Sequence, residues 1–137
     1  MDNIIFEKIW IDPIEDFFEL KVMAYNDRIT MVAHHVYAVS TDIHKIQSGA
    51  KEILKGPFSI DLGYDDDSSV DCVKLSFVPN KLGRVLVLIY MKTDSYEDKK
   101  DKANFTIETE ISSLDRFASE LEKILEGDIG VKVQLHD

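Results

Sequence analysis

The chain has 137 residues, with 16 Lys and Arg against 26 Asp and Glu, a formal net charge of −10 at pH 7. That length fits a single domain, 1–137, with enough chain to bury a core, and 45% hydrophobic residues with only three prolines exclude the disordered class. A field of this sign repels nucleic acid and anionic membrane surfaces and favours a basic protein partner.

The one cysteine, Cys72, can form no internal disulfide. Residues 1–8 lack the basic region and small-residue cleavage site of a signal peptide, so a cytoplasmic location is expected. The longest apolar run, residues 85–91, is far too short for a membrane span.

Strand patterns fill the first third. Residues 3–11 are rich in Ile, Phe and Trp and stop at Asp12 and Pro13. In residues 15–25 the even positions Phe18, Leu20, Val22 and Ala24 form one apolar side, while Glu19 and Lys21 point away. Asn26 and Asp27 supply a turn before the β-branched residues 29–39, so these two runs read as a hairpin. From Ser40, Thr41 and Asp42 the period changes. Ile43, Ile46, Ala50, Ile53 and Leu54 make a helical stripe that predicts a helix from about 41 to 55, capped at its start and ended by Gly56 and Pro57.

Four further strands are expected. Phe58, Ile60, Leu62 and Tyr64 alternate with Ser59, Asp61 and Gly63; Val73, Leu75 and Phe77 alternate with Lys74 and Ser76. Residues 82–91 are apolar on both parities, the pattern of a central strand covered on two sides. Phe105, Ile107, Thr109 and Ile111 alternate with Thr106, Glu108 and Glu110. This last strand runs into a second helix that starts around Ser112, carries Leu114, Phe117, Leu121, Ile124 and Leu125, and closes at Gly127. Residues 129–135 read as a short edge strand. The fold class is therefore α+β: a curved, mainly antiparallel sheet of about seven or eight strands with two amphipathic helices, in the order βββαββββαβ. The charged stretch 92–104 reads as a mobile hairpin tip.

Motifs that carry chemistry are missing. Asp65, Asp66, Asp67 and Asp71 could offer oxygens to Ca²⁺, but an EF-hand starting at Asp65 needs Gly and Glu where this chain has Val70 and Ser76. The segment reads as a solvated turn. His34 and His35 are adjacent on a strand and are expected to face opposite sides, one half-buried and one exposed. His44 and His136 stand apart, and no zinc spacing occurs. Cys72 reads as a packed thiol, since nothing around it matches a nucleophile with its base. No G-x-G-x-x-G, Walker-type loop or G-x-S-x-G is found, and basic residues do not cluster with aromatics. No catalytic residue, cofactor or metal is expected.

What remains is surface. Glu108, Glu110 and Asp61 point outward from their strands and are candidate partner contacts, with the Asp65, Asp66 and Asp67 loop as the alternative. Leu86, Leu88 and Tyr90 occupy the second parity of the apolar strand. Covered central strands read this way, so a helix is expected over them; left open, they would form an apolar patch rimmed by carboxylates, suited to a basic protein.

Residues 41–46 through 53–56, and residues 105–114 running into 117–125, carry a resemblance in element order and local pattern. In both, the chain resembles immunity proteins of bacterial polymorphic toxin systems, of the type paired with wall-associated toxins. The resemblance implies a protein without catalytic residues that binds and blocks a toxin. Two alternatives stand beside it: a small-ligand-binding or enzymatic domain with His35 and Cys72 or a carboxylate lining a pocket, and a homodimer paired through the 129–135 edge, where the first reading allows a monomer.

Overall fold

The computed structural model describes residues 2–63, 71–94 and 100–136. Period-two alternation along the N-terminal third builds an antiparallel meander of β1 (Asn3–Ile11), β2 (Phe18–Tyr25) and β3 (Thr30–Ala38). Phe18, Leu20, Val22 and Ala24 all face the core, as their spacing requires. Helix α1 (Ser40–Lys51) follows, then a single 3-10 turn (Ile53–Lys55). The tighter 3-10 pitch ends the buried stripe at Ile53 and turns Leu54, expected inside, out to solvent. A second meander holds β4 (Phe58–Gly63), β5 (Cys72–Pro79), β6 (Arg84–Asp94) and β7 (Lys100–Glu110). Strand β7 passes directly into α2 (Ile111–Glu120) and α3 (Glu122–Glu126), before β8 (Lys132–Gln134).

The α+β class and the antiparallel pairing are those expected. Among the described residues, eight strands divide into two four-stranded sheets, ordered β3-β2-β1-β8 and β4-β5-β6-β7. The division falls at α1, which carries the chain away from the free edge of β3 to begin a new meander. The last strand returns to the first: Val133 sits opposite Phe6, and Asn3 and His136 exchange hydrogen bonds of 3.1 and 2.9 Å.

The inner faces of the two sheets and the helices share one core. Strand β3 lies against β4, β5 and β6, α1 packs on β4 and α2, and α2 packs on β7 and β8. Phe6 meets Phe117 edge-on at 5.5 Å. Phe58 stacks on Phe77 at 4.6 Å and fills the space beside Gly49, where a Cβ would overlap its ring. The α1 N-terminus is satisfied from two sides. Asp42 accepts the Val39 N–H at 2.9 Å, and Asp16, from the β1–β2 connection, accepts the Ser40 N–H and hydroxyl at 3.1 and 2.7 Å.

Polar contacts fasten the sheets at two seams. The buried Asp71 carboxylate accepts the His35 N–H of β3 at 3.2 Å and the Asp94 N–H of β6 at 2.9 Å. At the outer edge of β7, Asp2 accepts the Glu108 N–H at 3.0 Å and the Asn26 amide donates to the Thr106 carbonyl at 3.1 Å. These contacts occupy backbone groups that would otherwise invite another strand.

Three further expectations change. The helices lie on the inner side, so the outer face of β6 is uncovered and the reading of a strand covered on both sides does not hold there. The charged stretch 92–104 is largely ladder: Lys92 pairs with Lys102, Thr93 with Asp101 and Asp94 with Lys100. Backbone hydrogen bonds extend a hairpin whatever its side-chain polarity; residues 95–99 of that stretch lie outside the described residues. Finally, His34 and His35 do not split between two faces, because a bulge in β3 leaves both exposed.

Candidate partner-binding faces

The outer face of the second sheet is built around β6. Val85, Val87 and Ile89 point into the core, so the residues between them point out. Leu86 is 37% exposed and Leu88 48% exposed, and Tyr90 is half-buried. On one side stand Ser76 and Lys74 of β5, opposite Leu88 and Tyr90; on the other stand Glu108 and Thr106 of β7, opposite Leu86 and Leu88. The Lys74 amine sits over the Tyr90 ring, 5.5 Å from its centre.

The three carboxylates singled out in the sequence all lie on this face, but not together. Glu108 forms an ion pair with Arg84, which also stands opposite Glu110 in the ladder. Asp61 is exposed on β4, opposite Lys74. Strands β4 and β7 are the two edges of the sheet, about 14 Å apart at three strand spacings. The face is thus an apolar stripe with carboxylates at both margins, each beside a cation. Asp65, Asp66 and Asp67 lie outside the described residues.

The outer face of the first sheet is shaped by two β-bulges, one on each neighbour of β2. On β1, Lys8 pairs with Leu20 but Trp10 with Glu19, so Ile9 is an extra residue. Strict alternation from Ile4, Phe6 and Lys8 would have put Trp10 inside; the bulge reverses the parity and places it outside, 38% exposed. On β3, Leu20 pairs with Val36 and Val22 with Ala33, so His34 and His35 together oppose Lys21. Both histidines are therefore exposed, with ring centres 6.4 Å apart.

The result is a row across three strands. Glu19 stands between Trp10 and Tyr37, and Phe17 packs edge-on against Trp10 at 5.9 Å and flat against Tyr37 at 5.1 Å. The Glu19 side chain is 12% exposed, and its Oε1 lies 2.6 Å from His35 Nδ1, on a ring 61% exposed. At the near end of the row, Asp12 accepts the N–H groups of Glu15 and Ile14, both at 2.9 Å, and these hold its carboxyl below the usual carboxylate range. Next to the row a groove of about 250 Å³ is lined by Ile5, Glu7, Lys21, Met23, Lys132 and Gln134. His35 and Cys72 do not line it.

Other reactive groups serve the fold. Cys72 is buried, and both oxygens of Asp71, once a candidate Ca²⁺ ligand, accept backbone N–H groups. Among the described residues no group of three His, Cys, Asp or Glu could hold a metal ion, and no helix is long and apolar enough to cross a membrane. The aromatic row escaped the sequence reading because a bulge leaves no mark in the alternation of side chains. The available signal was the run 9–20, which holds four carboxylates with no Lys or Arg. No family model, curated protein or solved structure matches the chain.

Proposed function

We propose that this chain is a cytoplasmic protein-binding domain that captures a basic protein, acting as an immunity protein that blocks a toxin by covering it. The observation that carries the reading is the exposed Leu86–Leu88 stripe, with Glu108 and Glu110 at one margin and Asp61 at the other, on a chain of net charge −10. Burying such a stripe against a partner supplies affinity, while carboxylates at the margin steer a cationic surface and set its register. Glu108 is held by Arg84 in the free protein, so docking exchanges that cation for one on the partner.

The test is a tagged pull-down from the native host, washed at moderate salt, with retained proteins identified by mass. The control is the double variant Glu108→Lys, Glu110→Lys. One basic protein held in stoichiometric amount by the parent and lost by the variant is the expected result. Equal retention by both, or no partner from cells shown to express the neighbouring toxin candidates, overturns the reading.

A further inference from the structure

We infer that the Trp10–Glu19–Tyr37 row on the first sheet is a second contact face, and that it receives an arginine-bearing segment of a basic protein. The inference rests on the basic-partner reading for the sign of the partner's charge and adds a surface on the other sheet. An aromatic residue turned outward by a bulge is not placed for folding: inside, the Trp10 ring would be removed from water, and the bulge at Ile9 gives up ladder pairing to move it out. A second bulge, at His34 and His35, flanks the same stretch of β2. Bulges of this kind recur where a side chain is re-aimed toward a function.

The chemistry of the row selects its occupant. Glu19 is a nearly buried carboxylate set between two aromatic side chains; His35 Nδ1 meets its Oε1 at 2.6 Å, and an incoming guanidinium would share the carboxylate with that ring. Asp12, Glu15 and Asp16 follow Trp10 directly in the connection to β2, and residues 9–20 contain no Lys or Arg. Lys21, the next outward residue on β2, faces Glu7 in the adjoining groove. A planar guanidinium matches this arrangement better than an ammonium does. It can lie flat on the exposed Trp10 ring, beside the half-buried Tyr37 and the Phe17 ring stacked on it, while its N–H groups reach the Glu19 carboxylate.

Trp10 is the only tryptophan in the chain, so its emission reports on this face alone. The experiment titrates the full chain with a hexa-arginine peptide at about 0.15 M ionic strength, where charges more than about 8 Å apart are screened. A saturable change in Trp10 emission is expected. Glu19→Gln, and separately Tyr37→Ala, should each raise the apparent Kd by about tenfold, the loss of one desolvated cation–aromatic or charge-assisted contact. Asp115→Asn, an exposed change on α2, should bind within about twofold of the parent, and the double variant Glu108→Gln, Glu110→Gln reports separately on the other proposed face. A flat titration, or equal affinity in parent and Glu19→Gln, overturns the inference. So does emission that shifts with protein concentration alone, which would make a second copy the occupant. Binding lost only in the Glu108 and Glu110 variant overturns this inference and leaves the basic-partner reading standing.

Discussion

The Nζ of Lys8 lies 2.7 Å from the carbonyl oxygen of Ile124, across 116 positions of sequence. It also reaches the Gly127 carbonyl at 3.0 Å, sits 5.5 Å from the centre of the Phe18 ring, and is 1% exposed. A β1 side chain on the core face thereby satisfies orphan carbonyls at the end of α3, where a helix favours positive charge. The bond ties the N-terminal sheet to the C-terminal helix.

Replacing Lys8 with Met keeps the apolar stem and removes the donor. The Ile124 and Gly127 carbonyls then lose a charged partner, at a cost of roughly 2–3 kcal/mol, read from urea unfolding. Burial pushes the Lys8 amine below its ordinary range, and Asp128 partly offsets that. The unfolded chain therefore binds more protons than the folded one between the lowered value and about 10.4, so stability rises with pH across that window. The gap between parent and Lys8→Met should widen in the parent's favour as pH climbs toward about 10.4. A gap that narrows would mean that the amine is not desolvated.

Asp71→Ala should destabilise by about 2–4 kcal/mol, because the His35 and Asp94 N–H groups lose their acceptor at the seam between the sheets. Asp71→Asn keeps one acceptor oxygen and should cost about half as much. Amide hydrogen exchange separates this from a general loss of stability. The His35 and Asp94 amides should lose protection beyond the global change, and protection falling only in step with global stability would remove Asp71 from the seam.

Gly49→Ala sets two effects against each other. Alanine gains about 1 kcal/mol of helix propensity over glycine. The added Cβ overlaps the Phe58 ring, which cannot retreat without leaving its stack on Phe77, and overpacking of this kind costs about 1–3 kcal/mol. The net expectation is a loss of about 1 kcal/mol in urea unfolding, recovered when Phe58→Leu is added. A gain in the single variant would show that the ring gives way freely.

Much of this fold was legible because burial imposes a period. Phe18, Leu20, Val22 and Ala24 declared the inner face of β2, and Leu114, Phe117, Leu121 and Ile124 declared that of the second helix. The outward direction of Asp61, Glu108 and Glu110 followed from the same parity. That Leu86 and Leu88 are open could not be read, because an apolar strand looks the same whether a helix or a partner covers its second face.

The element order, the α+β class, the inner faces of β2, β4, β5, β7 and the helices, and the net charge of −10 were legible from the residues alone. Those properties are local or additive: a period of two or 3.6, a capping residue, a sum of charges. The remaining features come from tertiary pairing. It divided the strands into two sheets, brought β8 back to β1, and put the helices on the inner side. Through two bulges it moved Trp10 and the His34–His35 pair to the outer face. These features depend on register between strands, which arises from pairing of segments far apart in the chain, and one extra residue in a strand reverses the direction of every side chain beyond it.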